Sequence, residues 1–165
     1  MSAPDEAGEW VLLSYRVPRE PSSPRIAIWR KLKQLGVAQL GDGVIGLPAD
    51  ARTREQLEWV AEDVTDAGGS AVVWLARPTT PAQERRLASA MAQARAAEYA
   101  AVQKEALAAS RLPDVERASV VRRLRAELRR ITRRDYFPPA ERDQAKASVE
   151  ALTLQSADAD VQEQA

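Results

Sequence analysis

The chain has 165 residues, 45 % hydrophobic and 29 % charged, a composition that supports a buried core without disulfide staples. It contains neither Cys nor His, which excludes thiol redox chemistry, thiolate zinc sites, iron–sulfur clusters, imidazole metal sites and Ser-His-Asp catalysis. Basic and acidic residues balance at 24 each, but they are segregated. Residues 10–40 carry six cations against Glu20, net +5, and residues 111–134 carry nine Arg against three acids, net +6. Residues 50–70 and 141–165 are each net −4. Two basic zones in a neutral chain suit either an anion or nucleic-acid surface or solvated, ion-paired helix faces.

Residues 1–9 are polar and acidic, without a signal-peptide core, and read as a flexible N-terminus. No apolar run reaches the ~18 residues of a membrane span, so a cytoplasmic protein without membrane contact is expected. Residues 10–17 (WVLLSYRV) form the first strand, stopped by Pro18. Ser23 and Pro24 suit the N-cap and first position of a helix that Gly36 ends, with Ile28, Trp29, Leu32 and Leu35 on one face. Val37 to Leu40 and Val44 to Leu47 flank Gly41-Asp42-Gly43, a hairpin signature. Asp50 or Thr53 caps a second helix, with Leu57, Val60, Ala61 and Val64 inward and Gly68-Gly69 as its stop. Residues 70–76 (SAVVWLA) are a continuous apolar strand.

This order, β-α-β-β-α-β over residues 10–77, predicts an α+β protein built on a ferredoxin-like domain. Strands one and four read as its central pair, and the shorter strands two and three as its edges. Trp10, Trp29, Trp59 and Trp74 each fall on a core-bearing element and are expected in the core. Residues 79–152 read as a helical region. Thr80-Pro81-Ala82-Gln83 is a capping box opening an Ala-rich helix that Pro113 breaks. The next helix carries the narrow seam Val121, Leu124, Leu128 and Ile131, suited to helix–helix contact within the chain or across a homodimer. A short helix from Ala140 to about Leu152 and a disordered tail over residues 153–165 complete the reading.

Residues 10–25 (WVLLSYRVPREPSSPR), 28–36 (IWRKLKQLG), 43–48 (GVIGLP) and 133–138 (RRDYFP) resemble ChrB-type chromate resistance proteins. The resemblance covers most of residues 10–145. It implies a cytoplasmic bacterial protein tied to chromate efflux operons and to chromate-responsive regulation, here as a stand-alone N-terminal domain. A more distant likeness links the βαββαβ half to PaaX-type repressors and small CRISPR adaptation nucleases. In those nucleases an Asp near the end of the first strand is proposed to hold a metal; Ser14-Tyr15-Arg16 stands here instead, without a carboxylate.

Two candidate sites follow. Arg19, Ser22, Ser23 and Arg25 surround the start of the first helix and could hold a tetrahedral oxyanion such as chromate, against the alternative of an ordinary cap with solvated Arg. Arg122, Arg123, Arg125, Arg129, Arg130, Arg133 and Arg134 could contact DNA phosphates, against the alternative of pairing with the acidic helix near Glu58 and Glu62. The acids Glu58, Glu62, Asp63 and Asp66 read as a solvated face, and no metal site or cofactor is expected. The expected function is a non-enzymatic accessory or transcriptional regulator that contacts DNA or an oxyanion, with a homodimer setting the geometry. The alternatives are a protein–protein interaction module and a metal-dependent nuclease.

Overall fold

Among the described residues, the alternation of short apolar runs with Gly and Pro stops produces a four-stranded sheet and five helices. The computed structural model describes residues 7–163, with side chains over residues 7–155. The chain forms two compact units that meet between Met91 and Ala92. In the first, β1 (Trp10–Arg16), α1 (Ser22–Leu35), β2 (Ala38–Gly41), β3 (Val44–Pro48), α2 (Ala51–Asp66) and β4 (Ser70–Ala76) follow in order. The helix α3 (Pro81–Ala109) begins in the first unit and continues into the second, which adds α4 (Asp114–Arg133) and α5 (Glu141–Glu163).

The strands are ordered β2-β3-β1-β4, and every neighbouring pair is antiparallel. The central strands are therefore β1 and β3, which corrects the expected pairing of strands one and four at the centre. The apolar run of β4 suggested a strand covered on both faces, yet Val72, Trp74 and Leu75 are each about half exposed. The shorter β3 is central because Ile45 and Leu47 lie opposite Leu13 and Val11, and all four are fully buried. Strand residues two apart share a face, so these four form one patch of the core, completed by Leu57, Val60 and Val64 of α2 and Ile28 and Leu32 of α1.

Local signals explain the element ends. Gly36 and Gly43 take positive φ (72° and 70°), the left-handed conformation that Gly adopts without a Cβ penalty. Asp50 caps α2: its Oδ1 accepts from the Thr53 amide at 2.7 Å, and the Thr53 hydroxyl accepts from the Asp50 amide at 2.9 Å. These bonds to the ionised form hold the Asp50 carboxyl below its usual range, the Thr53 backbone bond first among the causes. The expected capping box of α3 is present, with Thr80 and Gln83 bonded reciprocally at 3.2 and 3.3 Å. In contrast, α1 starts at Ser22 with Pro21 at the N-cap, and no side chain caps it, so Ser23 and Pro24 lie inside its first turn.

Of the nine residues expected to be flexible, 1–6 lie outside the described residues. Ala7 is buried, and the Gly8 amide donates to both carboxylate oxygens of Glu84 at 2.9 and 3.0 Å. Glu84 Oε1 also accepts from the Trp10 indole at 3.0 Å. The start of α3 thus packs on the strands, and the boundary between units falls at residue 91, not near 78.

In the second unit, Tyr99, Val102 and Ala106 of α3, the seam Val121, Leu124, Leu128 and Ile131 of α4, and Ala145, Val149 and Leu152 of α5 form one core. The seam is consumed inside the unit. The last helix runs past Leu152 to Glu163, where a disordered tail was expected; residues 153–163 contain no Gly or Pro to stop it. Residues 164 and 165 lie outside the described residues. Among the described residues no helix is long and apolar enough to cross a membrane.

Candidate functional site

The seven arginines between residues 122 and 134 divide into two sets. The buried seam of α4 faces the second unit's core, so one flank of the helix meets α3 and the other meets α5. On the α3 flank, Arg123 pairs with Glu105 at 2.6 Å, and Arg134 pairs with Glu98, which also binds Arg95 at 2.8 Å. Arg130 pairs with Glu127 one turn earlier on α4. On the α5 flank, Arg125 donates to the Thr153 hydroxyl at 3.1 Å and lies 3.9 Å from Glu150. These partners sit on α3, α4 and α5. Two acids of α2 are engaged within the first unit, Asp63 with Lys31 at 2.6 Å and Glu58 with Arg54 at 3.0 Å.

Arg122, Arg129 and Arg133 form the second set. All three are exposed, and among the described residues none makes an ion pair or a side-chain hydrogen bond. Their spacing of seven and four residues is close to two turns and one turn, so they line one stripe opposite the seam, about 16 Å long at 1.5 Å per residue. Three unneutralised guanidiniums in a row present forked donors suited to phosphate oxygens. Sequence alone could not separate this set from the paired one, because the decisive carboxylates lie 18 and 36 residues away on α3.

The segment at the end of α4 is an anchor. Tyr99 is fully buried and donates to Asp135 Oδ2 at 2.8 Å. Burial pushes the Tyr99 phenol above its ordinary value. Arg95 also donates to the Arg134 carbonyl at 3.4 Å. Arg134 and Asp135 therefore tie the end of α4 to α3. Tyr136 and Phe137 are half-buried there and engaged.

The residues expected to hold an oxyanion do not line one hollow. Arg19 lines a hollow of about 630 Å³ with Arg16, the Gly68-Gly69 turn and Ser70. Arg25 lines another, of about 420 Å³, with Tyr15, Val17, Ile26, Trp29 and Gly43. Ser22 and Ser23 lie in the first turn of α1, exposed, and line neither. Arg16, absent from the sequence expectation, is the cation that joins Arg19; its position at the end of β1, opposite Ser70, was the available signal. Among the described residues no group of three or more Asp or Glu side chains gathers in a metal-holding arrangement.

The tryptophans also divide. Trp10 is buried, but Trp29, Trp59 and Trp74 are 55 %, 52 % and 53 % exposed, which corrects the expectation of four core indoles. Trp29 neighbours Ile28 in sequence but lies about 100° around the helix from it, off the strip that meets the sheet. The Trp74 indole donates across the sheet to the Ser14 hydroxyl at 2.9 Å.

Comparison with known proteins agrees with the sequence resemblance. The family described as Protein ChrB, N-terminal matches residues 25–110. Protein ChrB of Cupriavidus metallidurans strain CH34 is 30 % identical over 141 residues, 83 % of this chain and 42 % of that protein. The chain thus spans less than half the length of this curated relative. No solved structure matches. The family match covers more than half of the 165 residues, including Arg25 and the whole of α3, and the chain belongs to the ChrB N-terminal family.

Proposed function

We propose that this chain serves chromate resistance as a non-enzymatic accessory or regulatory protein whose α4 stripe contacts DNA phosphate. The observation that carries the reading is the set of unneutralised arginines, Arg122, Arg129 and Arg133, on one exposed face. Family membership supplies the link to chromate resistance. In this reading β1–β4 form a ferredoxin-like domain, supported by the parallel course of β1 and β2 with β3 between them, the split βαβ arrangement. A second copy sets the spacing of two stripes along a duplex. The hollow shared by Arg16 and Arg19 is the better candidate for an oxyanion than the helix start, because two cations line it.

A second reading, a protein–protein module without DNA contact, is favoured by Arg123, Arg125, Arg130 and Arg134, which are already engaged inside the helical unit. Fluorescence anisotropy separates the two. The full chain is titrated against promoter-region and unrelated DNA at about 50 and 200 mM salt, with and without chromate. Tighter promoter binding that chromate weakens supports the regulator. No binding at the lower salt removes DNA contact and leaves the module. Cleavage of the same DNA on addition of Mg²⁺ or Mn²⁺ overturns the non-enzymatic assignment and restores the nuclease alternative.

A further inference from the structure

The hollow around Arg25 combines three chemistries in one place. Along α1, Arg25 and Trp29 are four residues apart and therefore neighbours on one face, with Ile26 beside them. Tyr15 and Val17, at and beyond the end of β1, and Gly43 of the β2–β3 turn close the other side. The frame is fixed by backbone. The Tyr15 amide donates to the Gly43 carbonyl at 2.8 Å, and a Cβ on Gly43 would stand 2.5 Å from the Tyr15 carbonyl oxygen. The hollow's volume, about 420 Å³, lies in the range of small-molecule sites.

The lining is unsatisfied in two respects. Ile26 and Trp29 leave apolar surface in water, 45 % and 55 % exposed. Arg25 has no carboxylate or other side-chain partner among the described residues, and no acid lines the hollow. Lys33 Nζ stands 4.5 Å from the centre of the Trp29 ring, adding a second positive charge beside the indole. A ligand that fits must offer a flat apolar ring to Trp29 and Ile26 and an anionic group to Arg25. A compact inorganic oxyanion uses only the second feature, and a neutral ring only the first. The Tyr15 phenol, a donor at neutral pH, also lines the hollow.

We propose that this hollow binds a planar aromatic anion with the chemistry of a mononucleotide, its base against Trp29 and its phosphate on Arg25. The source is either a free nucleotide or an unstacked nucleotide of a single strand. The site belongs to the first unit and is independent of the α4 stripe.

The test uses the full chain with ¹⁵N-labelled indoles, the Trp29 signal being assigned with W29F. Titration with AMP is expected to shift the Trp29 signal and leave that of Trp59 in place. Adenosine and inorganic phosphate, the two halves, are each expected to bind at least tenfold more weakly. R25Q, which leaves a polar side chain at an exposed helical position, is expected to weaken AMP at least tenfold with the rest of the spectrum unchanged. An oligothymidylate that binds more tightly than AMP assigns the single strand as the source; AMP at equal or greater affinity assigns the free nucleotide. The proposal is overturned if neither probe moves the Trp29 signal at millimolar concentration, if R25Q binds AMP as well as the parent, or if phosphate alone binds as tightly as AMP.

Discussion

Two triple variants remove the same charge from α4 and should have opposite consequences. R122Q/R129Q/R133Q deletes the exposed, unneutralised stripe; R123Q/R130Q/R134Q deletes arginines held by Glu105, Glu127 and Glu98. Each duplex phosphate neutralised contributes a slope of about −0.9 to the dependence of log affinity on log salt. Loss of three contacts therefore flattens the slope by about 2.7, and a fourfold rise in salt should cost the stripe variant about 40-fold less affinity than the parent. The paired variant should keep the parent's slope within about one contact and lose stability instead. Two exposed pairs contribute about 0.2–1 kcal/mol each, and the half-buried Arg134–Glu98 pair about 1.5–3 kcal/mol as a charge-assisted bond. The combined loss of about 3 kcal/mol lowers Tm by about 10 °C. Anisotropy over a salt series and a thermal melt on both variants make the test. Equal flattening in both variants would show that DNA responds to net charge alone, and no change in the stripe variant would remove α4 from the interface.

Other outcomes follow from individual contacts. E84A removes the acceptor of the Gly8 amide and the Trp10 indole and should cost about 2 kcal/mol, with E84Q retaining part of it; urea melts measure both. G69A and G46A should differ sharply in thermal melts. A Cβ at Gly69 meets the Arg16 carbonyl oxygen at 2.2 Å and Val64 from 2.9 Å, whereas at Gly46 the nearest atom, at 2.6 Å, is the mobile end of Leu12. The first should cost about 3 kcal/mol or more and the second about 1 kcal/mol. Because folding raises the Tyr99 pKa, its neutral form contributes stability that is complete below the ordinary phenol value and is lost as pH rises through the raised one. Y99F should remove that alkaline loss in a pH series of urea melts while leaving the contribution of Tyr15, whose value is also raised.

The elements themselves were legible because each carries its own punctuation. Gly36, the Asp50–Thr53 cap, the Thr80–Gln83 box and Pro113 act within a few residues, where sequence determines geometry directly. The place of β4 was not legible, since a run such as SAVVWLA is apolar on both faces whether or not a second layer covers it. The same blindness placed Trp29, Trp59 and Trp74 in the core: hydrophobicity states a preference, and only the neighbouring layers decide who is covered. The identity of the arginines in the candidate interface could be read, but their state could not. Arg123 and Arg134 are neutralised by Glu105 and Glu98 across a helix–helix contact that no local pattern encodes.

The two sheet edges are not equivalent, and this bears on handling the protein. The β2 edge is four residues long and interrupted by a shift in register between Gln39 and Gly41, the kind of irregularity that blunts edge-to-edge pairing. The β4 edge is seven residues long, unbroken in register, and has no charge or Pro. Such a segment is a template for cross-β growth whenever the fold loosens. Aggregation during refolding or concentration should therefore start at Ser70–Ala76, and a single gatekeeper charge at Val72, half in solvent already, is the smallest change that would suppress it.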